Sequence, residues 1–398
     1  MRFSAVSPYN ALPQAKLPEK IVIYDSTLRD GEQMPGVRFT PEQKVEIATK
    51  LSEIGVPQIE AGFPAVSDQE MKAVRMIADL GLDSEILCLA RTTREDIDVA
   101  ADCGVDMVLL FIATSDLHLR YKLKMTREEV LRKATSAVEY AHARGLRTSL
   151  STEDSTRSDI GYMLTVYHAA ERAGAARLGI TDTVGCASPD AISYVVGKIR
   201  AETKSPLAAH LHNDFGFALA NSIAALNSGA EAITTTVGGI GERAGNVPLE
   251  QFVMALKHLY KRDLGIKTEE FGELSRMVFG HANLPVPVNQ PWVGSNPFSH
   301  ESGIHVAAIL NCPMTYEAVS PEDVGGRRRL LLGKHSGTAI VKSRLEERNV
   351  TATQEQICDI VRAIKHSGED HGRVDEDEFW AIVEKVMAGG LEDPDCET

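Results

Sequence analysis

Two histidines one residue apart, His210 and His212, sit in an apolar segment, PLAAHLHND (206–214), that reads as a buried strand. Side chains alternate faces along a strand, so both imidazoles point the same way. Two imidazoles converging at one strand end hold a divalent metal when a carboxylate arrives from elsewhere, the two-histidine, one-carboxylate pattern. The chemistry therefore turns on where that carboxylate lies.

The stretch Asp25-Ser26-Thr27-Leu28-Arg29-Asp30-Gly31-Glu32-Gln33 supplies a candidate where the first strand opens into its loop. Asp30 is the expected third ligand, and Arg29 is expected to face a carbonyl or carboxylate oxygen bound beside it. Taken singly, such an Asp is a helix cap or surface charge and a lone strand histidine is a hydrogen-bonded core residue. The conjunction carries the metal reading. A glycine-rich loop, GGIGERAGN (238–246), follows the last strand; Gly239, Gly241 and Asn246 are its candidates for holding an anionic cofactor, and Asn246 for joining the metal shell. A plain tight turn is the alternative there.

The elements that must position these residues follow from periodicity. Short β-branched runs at 21–27, 58–63, 84–90, 106–114, 147–153, 176–183, 206–214 and 232–239 alternate with segments whose apolar residues recur at i, i+3, i+4 and i+7. Several helical segments end in glycine, at Gly55, Gly104 and Gly145 for example. Eight strand and helix units over about 240 residues predict an α/β (β/α)8 TIM barrel, which takes about 250, rather than a doubly wound open sheet. Active sites of such barrels lie at the C-terminal strand ends, where these candidates stand. The expected organisation is an N-terminal extension (1–20), a barrel (21–265), and an arm or linker with a smaller, mainly helical C-terminal subdomain (266–398). The Pro-rich stretch 284–294 reads as the arm, and the last ten residues as frayed.

Composition bounds the rest. The 398 residues carry a formal net charge of −14, which excludes a general affinity for nucleic acid or anionic membrane. Six cysteines without a CxxC pair, and no apolar run of membrane-spanning length, predict a reduced, cytoplasmic protein. Arg327, Arg328 and Arg329 read as a solvated face, with a hold on a ligand's phosphate groups the lesser alternative.

Nine motifs in order carry a resemblance: DSTLRDGEQMPG (25–36), EAGFP (60–64), ATSDLHLRYKLK (113–124), STEDSTR (151–157), DTVG (182–185), HLHNDFG (210–216), GGIGERAGN (238–246), SHESGIHV (299–306) and GKHSG (333–337). Together they resemble the 2-isopropylmalate synthases, homocitrate synthases and their relatives, metal-dependent acyltransferases that condense acetyl-CoA with a 2-oxo acid. The resemblance implies a divalent metal (Mg, Mn or Zn) on Asp30, His210 and His212 with Asn246 nearby, and an electrostatic role for Arg29. It places Gln33, Glu60 and Thr183 at the oxo acid or its supporting shell. Glu153 matches an acidic residue linked to catalysis, and His305 with Tyr316 matches a catalytic pair reaching into the partner subunit of a homodimer with exchanged arms. The proton-abstracting base stays open among Glu153, His305 and Tyr316.

The oxo acid follows less directly. Only about 60 residues follow GKHSG, too few for the regulatory domain of a leucine-pathway enzyme, which favours homocitrate synthase with 2-oxoglutarate. Against the lysine-pathway homocitrate synthases, Asp30 replaces a Glu, and Ser149 stands where an arginine grips the distal carboxylate. A serine offers that carboxylate only a neutral hydrogen bond, so His118, Arg120 and Arg91 are considered as cations. The alternatives are 2-isopropylmalate synthase with 2-oxoisovalerate, then citramalate or Re-citrate synthase. A 3-hydroxy-3-methylglutaryl-CoA lyase is the rival of another class, and a catalytically inert metal-binding barrel the third reading.

Overall fold

The computed structural model describes residues 4–11 and 16–389, so most of the segment read as frayed, and Cys396, lie outside the described residues. Eight strands, β1 (Val22–Asp25), β2 (Gln58–Glu60), β3 (Glu85–Arg91), β4 (Met107–Ala113), β5 (Arg147–Glu153), β6 (Arg177–Asp182), β7 (Leu207–Leu211) and β8 (Ala232–Thr235), form one closed barrel in sequential order. Every pairing is parallel, and β1 closes on β8 with Tyr24 opposite Thr234. The barrel expected from the alternation is present.

Local chemistry starts and stops the intervening helices. Helix Pro41–Glu53 has proline at its first position and a reciprocal cap between Thr40 and Gln43, and it buries Ile47, Ala48 and Leu51. Helix Arg127–Ala143 has the same cap between Thr126 and Glu129, and Gly145 beyond its end adopts φ +80°, which a Cβ would disfavour.

The barrel interior has two unlike halves. Tyr24, Leu87, Met107 and Leu109 fill it from β1, β3 and β4, whereas β7 and β8 add only Ala208 and Ala232 to the same cluster. Arg177, 5% exposed, occupies the interior and ties β6 to β2 through a 2.7 Å hydrogen bond from Nη1 to Gln58 Oε1. Its guanidinium lies 4.9 Å from the Tyr24 ring centroid, and burial lowers its pKa.

Contacts divide the chain into two compact units, one spanning 9–286, the other joining 287–389 to residues 4–8. The barrel unit therefore runs past the expected boundary at 265. Helix Phe271–His281 buries Phe271, Leu274 and Val278, and the preceding Glu270 receives Lys50 of helix Pro41–Glu53 at 2.9 Å. Its apolar residues lie beyond the last alternation, so periodicity did not assign them to the barrel. The second unit is mainly helical, with helices Gly303–Asn311, Thr338–Glu347, Gln354–His371 and Glu376–Met387. Val306, Ile340, Ile360, Ile364 and Phe379 form its core. Among the described residues no helix is long and apolar enough to cross a membrane, and the five described cysteines are free.

Candidate active site

A cavity of about 280 Å3 opens at the C-terminal ends of the strands. Asp30, His210 and His212 meet in its wall, with one possible ligand atom from each lying within 4.8 Å of the others. His210 Nε2 is 3.2 Å and His212 Nε2 3.8 Å from Asp30 Oδ2, and the two Nε2 atoms are 3.1 Å apart. Strand parity explains the pair, and the loop after β1 brings in the carboxylate.

The electrostatics suit a cation. Burial, then the neighbouring His210, push the His212 pKa down to about 3, so its imidazole is neutral with a lone pair free to coordinate. Burial works against ionisation of Asp30, but Arg29 and then the two histidines outweigh it and hold the carboxyl well below its ordinary range. His212 Nδ1 and Asn246 Oδ1 are buried without a hydrogen-bond partner among the described residues. A carboxylate oxygen and two imidazole nitrogens make a donor set that fits a divalent ion.

Arg29 is fixed beside this set. Its Nε donates to Glu60 Oε1 at 2.7 Å, Nη2 to Glu60 Oε2 at 3.2 Å, and Nη1 to Asp30 at 2.8 Å and more weakly to Gln33 at 3.3 Å. Burial opposes its charge, and Glu60 with Asp30 more than restores it. Four of the five guanidinium hydrogens are thereby engaged, which leaves one for a bound oxygen. Glu60 and Gln33 line the cavity and hold Arg29, and Glu60 also receives Ser26 Oγ at 2.5 Å.

The loop after β8 closes against the same residues. Asn246 Nδ2 donates to Asp30 Oδ1 at 2.8 Å. Gly238 N is held by Glu250, a fully buried carboxylate whose pKa burial raises and which also receives Ser275 Oγ at 2.6 Å. Gly239 and Gly241 do not line the cavity, although Glu242 does. Their positions serve packing: a Cβ on Gly239 would stand 2.8 Å from Pro248 Cγ.

Glu153, Thr183 and Ser151 line the opposite side. Thr183 Oγ1 accepts from Asp154 N at 2.8 Å, and Asp154 takes φ +61° at the strand end. Ser149 is not in this wall. Paired in register with Arg177, it lies deeper, where its Oγ accepts from Arg177 Nε at 3.4 Å. The cavity position on β5 is instead Ser151, two residues nearer the strand end.

None of the three suspected cations lines the cavity. Arg91 binds Asp96 and lies 5.7 Å from the Phe63 ring, Arg120 lies over Tyr121, and His118 sits between Glu153 and Asp154. Lys122 is there instead, with Nζ 2.5 Å from Glu153 Oε1. Sequence reasoning missed it, although ATSDLHLRYKLK contains it. Leu89, Leu109, Phe63 and Phe111 form an apolar wall. In the second unit, His305 and Tyr316 stack at 4.0 Å between centroids, and Arg328 of the basic cluster is taken up bidentately by Glu317.

Comparison with known proteins follows the same division. Residues 20–278 match the family described as HMGL-like, and residues 292–372 match the domain described as homocitrate synthase post-HMGL domain-like. The chain is 50% identical to homocitrate synthase AksA of Methanothermobacter thermautotrophicus over 96% of its own length and 97% of that protein. It is also 50% identical to a probable 2-isopropylmalate synthase of Methanopyrus kandleri, over 93% of its length and 74% of that protein. Among solved structures, HMG-CoA lyase of Bacillus subtilis superposes with a TM-score of 0.62 at 22% identity, covering 69% of this chain and 97% of the lyase. That likeness shows the barrel fold.

Proposed function

The chain belongs to the HMGL-like family and, within it, to the homocitrate and 2-isopropylmalate synthases, and on that premise we propose that it condenses acetyl-CoA with 2-oxoglutarate and that water hydrolyses the resulting thioester to give homocitrate and free CoA. The observation that carries this reading is the convergence of Arg29, Asp30, His210, His212 and Glu153 on one cavity, in a chain half identical over nearly its whole length to a homocitrate synthase.

Asp30, His210 and His212 would hold the divalent ion, magnesium, manganese or zinc, with the Asn246 amide oxygen beside them. Such an ion supplies Lewis-acid polarisation of the oxo acid's oxygens when bound. Arg29, immobilised by Glu60, directs its remaining N–H at the oxygen that gains charge as the carbonyl is attacked. Glu153 faces the cavity from the opposite wall, where the acetyl methyl group must lose a proton. Ser151 and Tyr24 offer hydroxyls on the wall that the oxo-acid side chain would meet. Thr183 ties the β6 end to Asp154 and so holds Glu153 in place.

We place His305 and Tyr316 in the site across a homodimer. Both are exposed, and Ile304, Leu310 and Met314 around them are 78%, 46% and 46% exposed, an apolar surface of the kind a partner subunit covers. The free cysteines fit a reducing, cytoplasmic setting.

A second reading, 2-isopropylmalate synthase, is favoured by the apolar wall of Leu89, Leu109, Phe63 and Phe111, which suits the branched side chain of 2-oxoisovalerate. The lyase alternative accounts for the barrel alone, because the solved lyase covers 69% of this chain and the second unit matches a synthase domain. The test is CoA thiol release from acetyl-CoA with a divalent metal and each of 2-oxoglutarate, 2-oxoisovalerate, pyruvate and oxaloacetate. Preference for 2-oxoglutarate supports the reading, preference for another acid renames the substrate, and no release with any of them overturns the condensation.

A further inference from the structure

Condensation places negative charge at two oxygens. One is the former carbonyl oxygen of the oxo acid, served by Arg29 beside the Asp30, His210 and His212 set. The other is the thioester oxygen of acetyl-CoA, which becomes an enolate oxygen when the methyl group loses its proton. Taking a proton from that carbon without a donor at the oxygen leaves the enolate charge uncompensated.

The cavity offers one group for this second task. Apart from the metal-site histidines, Arg29 and Lys122 are the basic side chains among the described residues that line it, and Arg29 has four of its five hydrogens engaged. Lys122 Nζ has three donors, and Glu153 Oε1 takes one. Its side chain is 50% exposed, so the ammonium stands where the cavity meets solvent and acetyl-CoA must enter. The backbone is built to put it there. Leu119–Leu123 forms a π-helical turn, a rare conformation frequent at functional sites, and Lys124 closes it in the left-handed region at φ +52°.

Glu153 is arranged to match. Lys122 holds Oε1, and His118 Nδ1 stands 3.5 Å from the same oxygen. His118 is itself wedged against Asp154, with Nε2 3.7 Å from Oδ2. The carboxylate is thus oriented through one oxygen while the other carries no hydrogen bond among the described residues.

We infer that Lys122 is a catalytic residue of the acetyl-CoA half of the reaction, donating a hydrogen bond to the thioester oxygen as the enolate forms while it orients Glu153 as the base. This rests on the condensation reading above. In the step, a methyl C–H bond of acetyl-CoA breaks and its proton passes to Glu153. The bonding pair becomes the enolate double bond, and the carbonyl pair moves onto the thioester oxygen beside Lys122. The enolate carbon then bonds to the oxo carbon of the second substrate as the thioester C=O re-forms, the oxo oxygen takes up the displaced pair and a proton from solvent, and water hydrolyses the product thioester to release CoA.

The experiment uses the full-length, metal-loaded enzyme with its preferred oxo acid, measuring kcat, KM for each substrate, and the isotope effect with trideuteroacetyl-CoA. Lys122→Met is expected to lower kcat about 100-fold, the loss typical of one removed oxyanion donor, while the KM for the oxo acid stays within twofold and the slowed step shows a full isotope effect. Lys122→Arg, which keeps the charge, is expected to recover most of the loss, and Lys122→Gln, read by the same criteria, replaces the Met variant should that one not fold. A kcat within twofold of wild type in Lys122→Met overturns the inference. So does a loss confined to the KM of a dicarboxylate oxo acid, which would make Lys122 a side-chain anchor, and so does a kcat loss without an isotope effect. If wild type itself releases no CoA with any oxo acid, the condensation reading has failed first. A fully active wild type with an indifferent Lys122 sinks this inference alone.

Discussion

Gly241 lies so close to Asn246 that a single methyl group would push the glycine loop away from Asp30. A Cβ at Gly241 would stand 2.1 Å from Asn246 Nδ2 and 2.8 Å from Asp30 Oδ1. Gly241→Ala is therefore expected to leave the barrel folded, because the clash lies in a loop, yet to lower metal affinity about 10- to 100-fold by displacing the partner that orients Asp30. Calorimetric titration of the apo variant with Mn2+ measures this, and unchanged affinity would show that the loop yields without disturbing Asp30.

His212→Ala should remove metal and activity together. Two remaining ligands cannot hold the ion, and loss of its polarisation is expected to cost about a thousandfold or more in kcat. Metal content after dialysis, read alongside CoA release, checks the link. Full activity of this variant in chelator-treated buffer would remove the histidine pair from the chemistry.

His305→Ala separates the second unit from the metal. Metal content is expected to stay at the wild-type level while turnover falls about 100-fold or more, the range for a lost proton-transfer group. Co-expression with an Asp30→Ala chain should restore part of the activity in mixed dimers if the pair serves the partner's cavity. No recovery in verified mixed dimers counts against the crossing.

Asp25 makes stability depend on pH. It is wholly buried, and burial raises its pKa to about 7 against hydrogen bonds from Thr27 and Thr235. The folded value lies above the unfolded one, so the native state binds the extra proton between them and stability falls as pH rises from about 4 to about 7. The loss is roughly 4 kcal/mol in order of magnitude. Asp25→Asn should flatten that part of the profile, so the urea midpoint of the variant gains on wild type between pH 5 and pH 8. An equal change in both proteins would show that Asp25 is ionised throughout.

The fold and the convergence of Asp30, His210 and His212 were legible because both rest on periodicity. Eight alternations implied the barrel, the spacing of His210 and His212 implied a shared face, and Asp30 followed as the carboxylate at the end of β1. Depth along a strand was not legible. Ser149, Ser151 and Glu153 share one face of β5 by parity, and only the register against Arg177 shows that Ser149 lies too deep to line the cavity. Lys122 escaped for a different reason. Its place depends on a π-helical turn and a left-handed Lys124, and neither conformation leaves a mark in a helical period.

The uneven filling of the barrel has a consequence for how such proteins diversify. Asp30, Arg29, Asn246 and the two histidines arise around β7, β8 and β1, whereas Leu89, Leu109 and Ser151, the residues we set against the variable end of an oxo acid, sit on β3, β4 and β5. Reaction and diet are thus written on separate sectors of one ring. On the proposed reading, substrate preference can shift at Leu89, Leu109 and Ser151 while Arg29, Asp30, His210 and His212 stay put. Relatives at the same 50% identity bear the names of different synthases, as such a division of the ring would allow.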